Sequence, residues 1–343
     1  MRVEVKNWSI KKNDHLWLEN SKSGDYKYND ICDGCHSKMK EIARVTNFNS
    51  KLGLVTGLCP KCGYVKRINN LPEEWYAEHF AKRWLKGKNS DISDQQILKE
   101  DNYVYNKLSK YLSNNSKSSV LDAGCGIGQR LLPFSKNGFK VFGFDPSEHR
   151  TKIASDIMEN IEVNSAENYF RNNNEIFDVI YFFNVLQFVQ DPFFVIREAS
   201  KKLSDGGILF FSVGQFYNDG NYVQFSHFGV IRSFLTLYSL KSLFEELDLW
   251  PIEFSESPFE IVLRKGQKSS NSQKIFQNAE KICEKDFKKI IRKSLNFMRL
   301  NFLGKSTIKY QGREIVLKKH EKFKSILPVE FIYKGNEVPI LLK

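Results

Sequence analysis

Residues 120–129 read V-L-D-A-G-C-G-I-G-Q, and the fold turns on them. A short apolar run at 120–123 carries an acid, Asp122. Three glycines follow at alternate positions, Gly124, Gly126 and Gly128, and a helical pattern opens at Gln129. Glycines in such a run let the backbone turn sharply and lie against a ligand with no Cβ in the way. The helix start adds exposed N–H groups and a positive dipole end, which suit a carboxylate or a phosphate. A dinucleotide loop spaces its glycines G-x-G-x-x-G. The position five after Gly124 is Gln129, so the third glycine is misplaced for NAD.

Outward from this loop the chain alternates between strand and helix patterns. Strands are predicted at 120–123, 140–145, 161–165, 178–185, 208–213 and 259–264. Helices are predicted at 129–137, 148–160, 192–203 and 239–247, the last with a Ser239 cap. Pro192 starts the third helix, and Asp205-Gly206-Gly207 stops it. The strand runs are rich in Val, Ile and Phe without alternation, so both faces are buried. This predicts an α/β fold: a Rossmann-like, seven-stranded, mostly parallel sheet with helices on both faces.

Upstream, Cys32-x2-Cys35 and Cys59-x2-Cys62 form two pairs, each in its own turn (C-D-G-C and C-P-K-C-G). Four thiolates so placed suit one tetrahedral Zn2+ and leave no open position, so the predicted metal is structural. His36 is a weaker alternative to Cys35. The expected organisation is a zinc-binding region at 1–72, a helical linker at 73–115, the α/β domain at 116–266 and a basic α+β tail at 267–343. The linker carries two helical patterns, one through Trp75, Tyr76, His79, Phe80 and Trp84, the other through Ile97, Tyr103, Tyr105, Leu108 and Leu112. In the tail a long basic helix is expected at 272–302, then short strands at 307–310, 314–317 and 329–333.

From Arg264 to Lys343 there are 20 Lys/Arg against 7 Asp/Glu, so the net charge of +12 resides in that segment. A basic segment suits an anionic partner such as a nucleotide, a lipid phosphate or RNA, and equally suits a solvated helix face. The N-terminus has no apolar core of a secretory signal, and the most apolar stretch, 177–189, is shorter than the ~20 residues of a membrane span. A cytoplasmic protein with no transmembrane segment is predicted.

Further signals join the glycine loop. Asp145 closes the next strand in V-F-G-F-D-P-S, 21 residues after Gly124, and Ser165-Ala166-Glu167 closes the third. Residues 177–192 read F-D-V-I-Y-F-F-N-V-L-Q-F-V-Q-D-P, and L-S-D-G-G-I-L-F-F-S-V turns into the fifth strand. Together these segments resemble the class I S-adenosylmethionine-dependent methyltransferases over about 116–214, and more loosely to Lys265. The cysteine pairs, followed by L-P-E-E-W-Y-A-E-H-F, look like the start of bacterial glycan and natural-product members. The resemblance implies that Asp122, Gly124, Gly126 and Gly128 cradle the methionine end of S-adenosylmethionine. Asp145, with Pro146, would bind the ribose, Ala166 and Glu167 would flank the adenine, and Asn184 would sit beside the sulfonium. Taken singly, each is also explained as a turn glycine or a strand-end cap. Cys125 is read as structural.

Gln187 and Phe188 stand where the family carries a Glu-His pair, so the family's base is missing. His227, in a loop following the fifth strand, is the substitute, with Tyr217 and Tyr222 shaping the pocket; packing or helix capping explains His227 as well. The leading expectation is methylation of a small-molecule or glycan substrate, a sugar hydroxyl on a nucleotide- or lipid-phosphate-linked precursor. The alternatives are an RNA methyltransferase that grips backbone with its zinc knuckle and tail, and an inactive adaptor.

Overall fold

The computed structural model describes residues 2–3, 27–47, 53–70, 76, 100–112, 118–213, 231–256, 258–278, 306–310, 313–317, 329–333 and 340–342. They fall into two compact units. One comprises Met1–Pro72, Gly214–Leu240 and Phe276–Lys343, the other Glu73–Val213 and Lys241–Ile275.

The second unit is built on a seven-stranded sheet. Its strands are β1 (Ser119–Ala123), β2 (Lys140–Asp145), β3 (Ile161–Val163), β4 (Phe177–Phe183), β5 (Leu203–Val213), β6 (Leu249–Ser255) and β7 (Phe259–Lys265), in the spatial order β6-β7-β5-β4-β1-β2-β3. The first five strands are mutually parallel, and β7 pairs antiparallel with both β5 and β6. The order reverses at β1, and in open α/β sheets such a switch point opens a crevice at the carboxyl edge.

Both faces of the sheet are covered, because neighbours along β4 point in opposite directions and all are buried: Val179, Ile180, Tyr181 and Phe182. On one face Val120, Val179, Tyr181, Ile208, Phe210 and Val262 pack with α1 (Tyr103–Leu108) and α2 (Leu132–Lys136). On the other, Tyr169 and Phe170 of α4 (Ala166–Asn172) lie against Phe144, with ring centroids 4.2 Å and 5.7 Å away. The fold expected from the sequence is the fold found. Between β2 and α4, α3 (Glu148–Ser155) returns the chain to β3.

Three local expectations need correction. Strand β6 shows no apolar alternation strong enough to be predicted. It is half-exposed from Ile252 to Ser255 because it lies at the sheet's edge. The helix at Leu237–Glu246 begins two residues before Ser239, and its cap is Thr236: Ser239 N–H donates to Thr236 Oγ1 while Thr236 N–H donates to Ser239 Oγ, a reciprocal box. Strand β5 starts at Leu203, so Asp205-Gly206-Gly207 lies inside it; Gly206 has φ +75°.

The first unit holds another sheet, in the order 2–3, 340–342, 329–333, 40–47, 53–58, 65–67, 233–234. Ser233 and Phe234 pair antiparallel with Lys66 and Val65, so chain leaving β5 returns as an edge strand beside the second cysteine pair. A hairpin, Ser306–Tyr310 with Arg313–Leu317, belongs to the tail. The tail helix is described at 270–278, and its predicted continuation lies outside the described residues, as do most of the first linker helix and Tyr217, Tyr222 and His227. Among the described residues no helix is long and apolar enough to cross a membrane.

Candidate cofactor site and zinc knuckle

After Asp122 the chain leaves the sheet in three left-handed steps, at Gly124 (φ +88°), Gly126 (φ +56°) and Gly128 (φ +81°). The turn is tied to β2. Phe144 O accepts from Gly124 N–H (2.8 Å) and Cys125 N–H (2.9 Å), and Asp145 Oδ2 accepts from Gly126 N–H (3.0 Å). A Cβ on Gly124 would lie 2.5 Å from Val185 Cγ2, and one on Gly128 would lie 2.2 Å from Met158 Cε. Backbone sign and packing alone therefore require these glycines, and the case for a ligand rests on the polar groups around them.

Asp122 is buried. Its Oδ2 accepts from the Tyr181 hydroxyl at 2.9 Å, and its Oδ1 is buried with no partner. Burial drives its pKa up to about 7, against the pull of the Arg130 charge and the Tyr181 hydrogen bond. Asp145 ends the neighbouring strand on the same edge. Its Oδ1 accepts from Ser147 N–H (2.9 Å) and its Oδ2 from Gly126 N–H. Burial raises its pKa, while the Ser147 N–H and Arg150 hold it back. Each oxygen keeps acceptor capacity, enough for a pair of vicinal hydroxyls. Pro146 is exposed beside it.

Ala166 is buried at the first turn of α4, behind the Ser165 cap. Glu167 is committed to the backbone, its Oε1 accepting from Gln190 N–H at 2.9 Å. Asn184 is exposed just past β4 in the left-handed region (φ +59°), its N–H donating to Ser212 O at 2.9 Å. Strained positions of this kind concentrate at functional edges. Gln187 is buried, with Oε1 unpartnered. The Cys125 thiol is also buried, which lifts its pKa well above the ordinary value and suits a structural residue. The sequence reading missed Arg130. Its guanidinium carbon lies 4.1 Å from the centroid of Phe183, and its Nη2 meets Asp101 Oδ2 at 2.9 Å. An arginine directly after a glycine loop and before an apolar helix was the available signal.

An adenosyl sulfonium with an amino acid tail fits this edge. An orphaned buried carboxylate oxygen suits an ammonium, and an acid on the neighbouring strand suits a ribose.

In the first unit the four thiols of Cys32, Cys35, Cys59 and Cys62 lie within 4.8 Å of one another. The cross-pair distances are 3.6 Å (Cys32–Cys62) and 3.4 Å (Cys35–Cys59). Four sulfurs around a zinc at ~2.3 Å stand about 3.8 Å apart, so the set fits one tetrahedral ion. The two knuckles repeat one geometry. Cys32 N–H donates to Ser37 O and Cys59 N–H to Tyr64 O, and the fourth residue after each first cysteine is left-handed: His36 (φ +56°) and Gly63 (φ +71°). His36 thus serves the turn and is not among the ligands. Among the thiols, hydrogen bonding from Cys62 pulls Cys32 down to about 5, while burial raises Cys59 to about 11. Beside them Lys66 and Asp33 form a buried ion pair at 2.5 Å.

The sheet order and the glycine loop are those of a Rossmann-like methyltransferase fold. Residues 97–253 match the family model described as "Methyltransferase domain". Curated relatives include the ubiquinone biosynthesis O-methyltransferase of Aliivibrio fischeri (strain ATCC 700601 / ES114), 30% identical over 144 residues, covering 39% of this chain and 59% of the relative. The protein of that name from Hydrogenovibrio crunogenus is 30% identical over 109 residues, 30% of this chain and 45% of its own. The match spans less than two thirds of these relatives' length. Similar solved structures include an S-adenosylmethionine-dependent methyltransferase of Listeria monocytogenes (18% identity, TM-score 0.39, 48% of this chain and 98% of that one). Magnesium protoporphyrin IX methyltransferase of Synechocystis with bound SAH is another (13%, TM-score 0.44, 57% and 100%).

Proposed function

We propose that this chain is an S-adenosylmethionine-dependent methyltransferase acting on a hydroxyl of a small molecule, with a sugar on a nucleotide- or lipid-phosphate-linked precursor as the specific acceptor. One observation carries the reading. Asp122 and Asp145 end adjacent parallel strands at the switch point, and the Gly126 N–H bonded to Asp145 closes the loop between them. The O-methyltransferase names of the curated relatives support oxygen as the acceptor atom.

Within this reading Asp122 and the loop glycines hold the methionine end. Asp145 and Pro146 take the ribose, Ala166 and Glu167 border the adenine, and Asn184 faces the sulfonium. The bound cofactor supplies an electrophilic methyl for in-line displacement, and the protein supplies alignment. Proton removal from the acceptor falls to His227. Cys32, Cys35, Cys59 and Cys62 hold a structural zinc. The basic tail binds the acceptor's phosphates.

The test is transfer of labelled methyl from S-adenosylmethionine to a panel of nucleotide sugars, catechols and total RNA. Label on a nucleotide sugar is expected. Label only on catechol keeps the enzyme and overturns the sugar. Label only on RNA overturns the small-molecule reading, and no label together with no binding of S-adenosylhomocysteine overturns the enzyme.

A further inference from the structure

Among the described residues Lys38, Lys61 and Lys66 flank the cysteine knuckles, and they differ in burial. Lys38 faces Asp30 at 3.7 Å with its side chain 80% exposed, and Lys61 is exposed as well. Lys66 is buried, its side chain only 6% exposed. It lies in the strand Val65–Arg67, directly between Gly57 and Ser233 of the neighbouring strands. Both neighbours are small, which leaves a long side chain room to run along the sheet. Its ammonium donates to Asp33 Oδ1 at 2.5 Å. Asp33 stands next to Cys32 in the first knuckle, whereas Lys66 follows the second. The bond therefore ties one knuckle to the other.

As an isolated link this pair is poorly built. Asp33 Oδ2 is buried with no partner, and a buried ion pair adds little net stability by itself. The neighbouring sulfurs supply a reason for the cation. Cys32, Cys59 and Cys62 are buried. Four thiolates around one Zn2+ carry surplus negative charge, which burial penalises unless a cation is near. Backbone dipoles meet part of that demand: the N–H groups of Gly34 and Cys35 bond to the Cys32 sulfur, and those of Lys61 and Cys62 to the Cys59 sulfur. They bring no net charge. Water screens Lys38 and Lys61, so the neutralising charge falls to Lys66.

We infer that Lys66 is the buried counter-cation of the zinc knuckle, held in place by Asp33, and that its charge sets how firmly the metal is retained. This rests on the four-cysteine zinc reading above. Lys66 and Asp33 are positioning residues for the metal and do not ligate it.

The experiment uses the full chain loaded with zinc, and a second sample loaded with cobalt. Lys66→Met should speed zinc release to a colorimetric chelator by about 10- to 100-fold, the usual loss when a metal's outer partner is removed. A cation beside the sulfurs lowers their lone-pair energy, so the thiolate-to-cobalt charge-transfer band should move to longer wavelength in that variant. Lys66→Arg keeps the charge and should restore both rate and band. Lys38→Met removes a charge of the same sign at an exposed position and should match wild type. If Lys66→Met does not fold, Lys66→Gln, which can still donate to Asp33 without carrying charge, is compared with Lys66→Arg. Zinc release at the wild-type rate in the uncharged variants overturns the proposal. Faster release with an unmoved cobalt band makes Lys66 a mechanical brace and overturns it too, as does an equal effect from Lys38→Met. A wild-type chain that takes up neither zinc nor cobalt overturns the zinc reading itself, a different result from these.

Discussion

The Tyr181 hydroxyl donates to one oxygen of Asp122 across 2.9 Å and leaves the other oxygen buried and alone. One hydrogen bond does not offset full burial, so the carboxyl keeps its proton up to about pH 7. An unfolded aspartate loses it near the ordinary value of 3.8. Between those values the folded chain binds one more proton than the unfolded chain. Stability therefore falls as pH rises through that window, by at most ~1.4 kcal/mol per pH unit. Asp122→Asn has no proton to lose. Its melting temperature relative to wild type should climb between about pH 5 and pH 7 and then level off. Parallel thermal melts check this, and a constant difference would mean Asp122 is already ionised at pH 5.

In the proposed cofactor site the same carboxyl would link proton release to binding, because an ammonium favours the charged form. S-adenosylhomocysteine affinity should rise as pH is raised through about 7, up to tenfold per unit at the steepest. In Asp122→Asn the slope should flatten and the affinity drop. Calorimetry in a pH series reads both, and a wild-type slope retained in the variant would assign the proton elsewhere.

The cysteine cluster makes a stoichiometric prediction. Purified chain should carry one zinc, measured by atomic absorption, and Cys62→Ser should carry little. Binding requires all four thiols to shed protons, so release to a chelator should speed up as pH falls. Full zinc retention in the variant would exclude the four-sulfur site.

Two glycines separate backbone sign from packing. Gly206→Ala meets only Gln267 Nε2 at 3.7 Å, so it bears the left-handed penalty alone, about 1–2 kcal/mol. Gly128→Ala bears the same penalty and also places its Cβ 2.2 Å from Met158 Cε. Denaturant melts should rank Gly128→Ala as clearly the worse, and equal losses would show that Met158 moves aside freely.

Helix α1 is stapled to β6 and β7 by charge. Lys107 Nζ meets Glu260 at 2.8 Å and Glu253 at 2.9 Å, and Tyr103 OH donates to Glu260 at 2.8 Å. Against desolvation, hydrogen bonds from Lys110, Tyr111 and Lys107 hold the Glu253 pKa down to about 2. Lys107→Met strips the buried Glu260 of its counterion and should cost about 3–5 kcal/mol, whereas adding Glu260→Leu should recover most of that. Chemical denaturation of the two variants tests the pairing, and additive losses would count against it.

Residue patterning alone determined the α/β class, the two cysteine knuckles and the acids at the ends of β1 and β2. Unbroken apolar runs admit only a sheet covered on both faces, and C-x2-C pairs fix their own turns through local hydrogen bonds. What only the tertiary structure decided was long-range. Thr236, not Ser239 alone, caps the helix at Leu237–Glu246, because the box needs both side chains in place. The edge strand β6 exists because β7 offers it a partner. Arg130 is fixed beside the glycine loop only when β4 carries Phe183 beneath it and the chain before α1 carries Asp101 alongside. No period or motif in the sequence encodes such meetings: residues 29 and 53 positions away come together only once the sheet has closed.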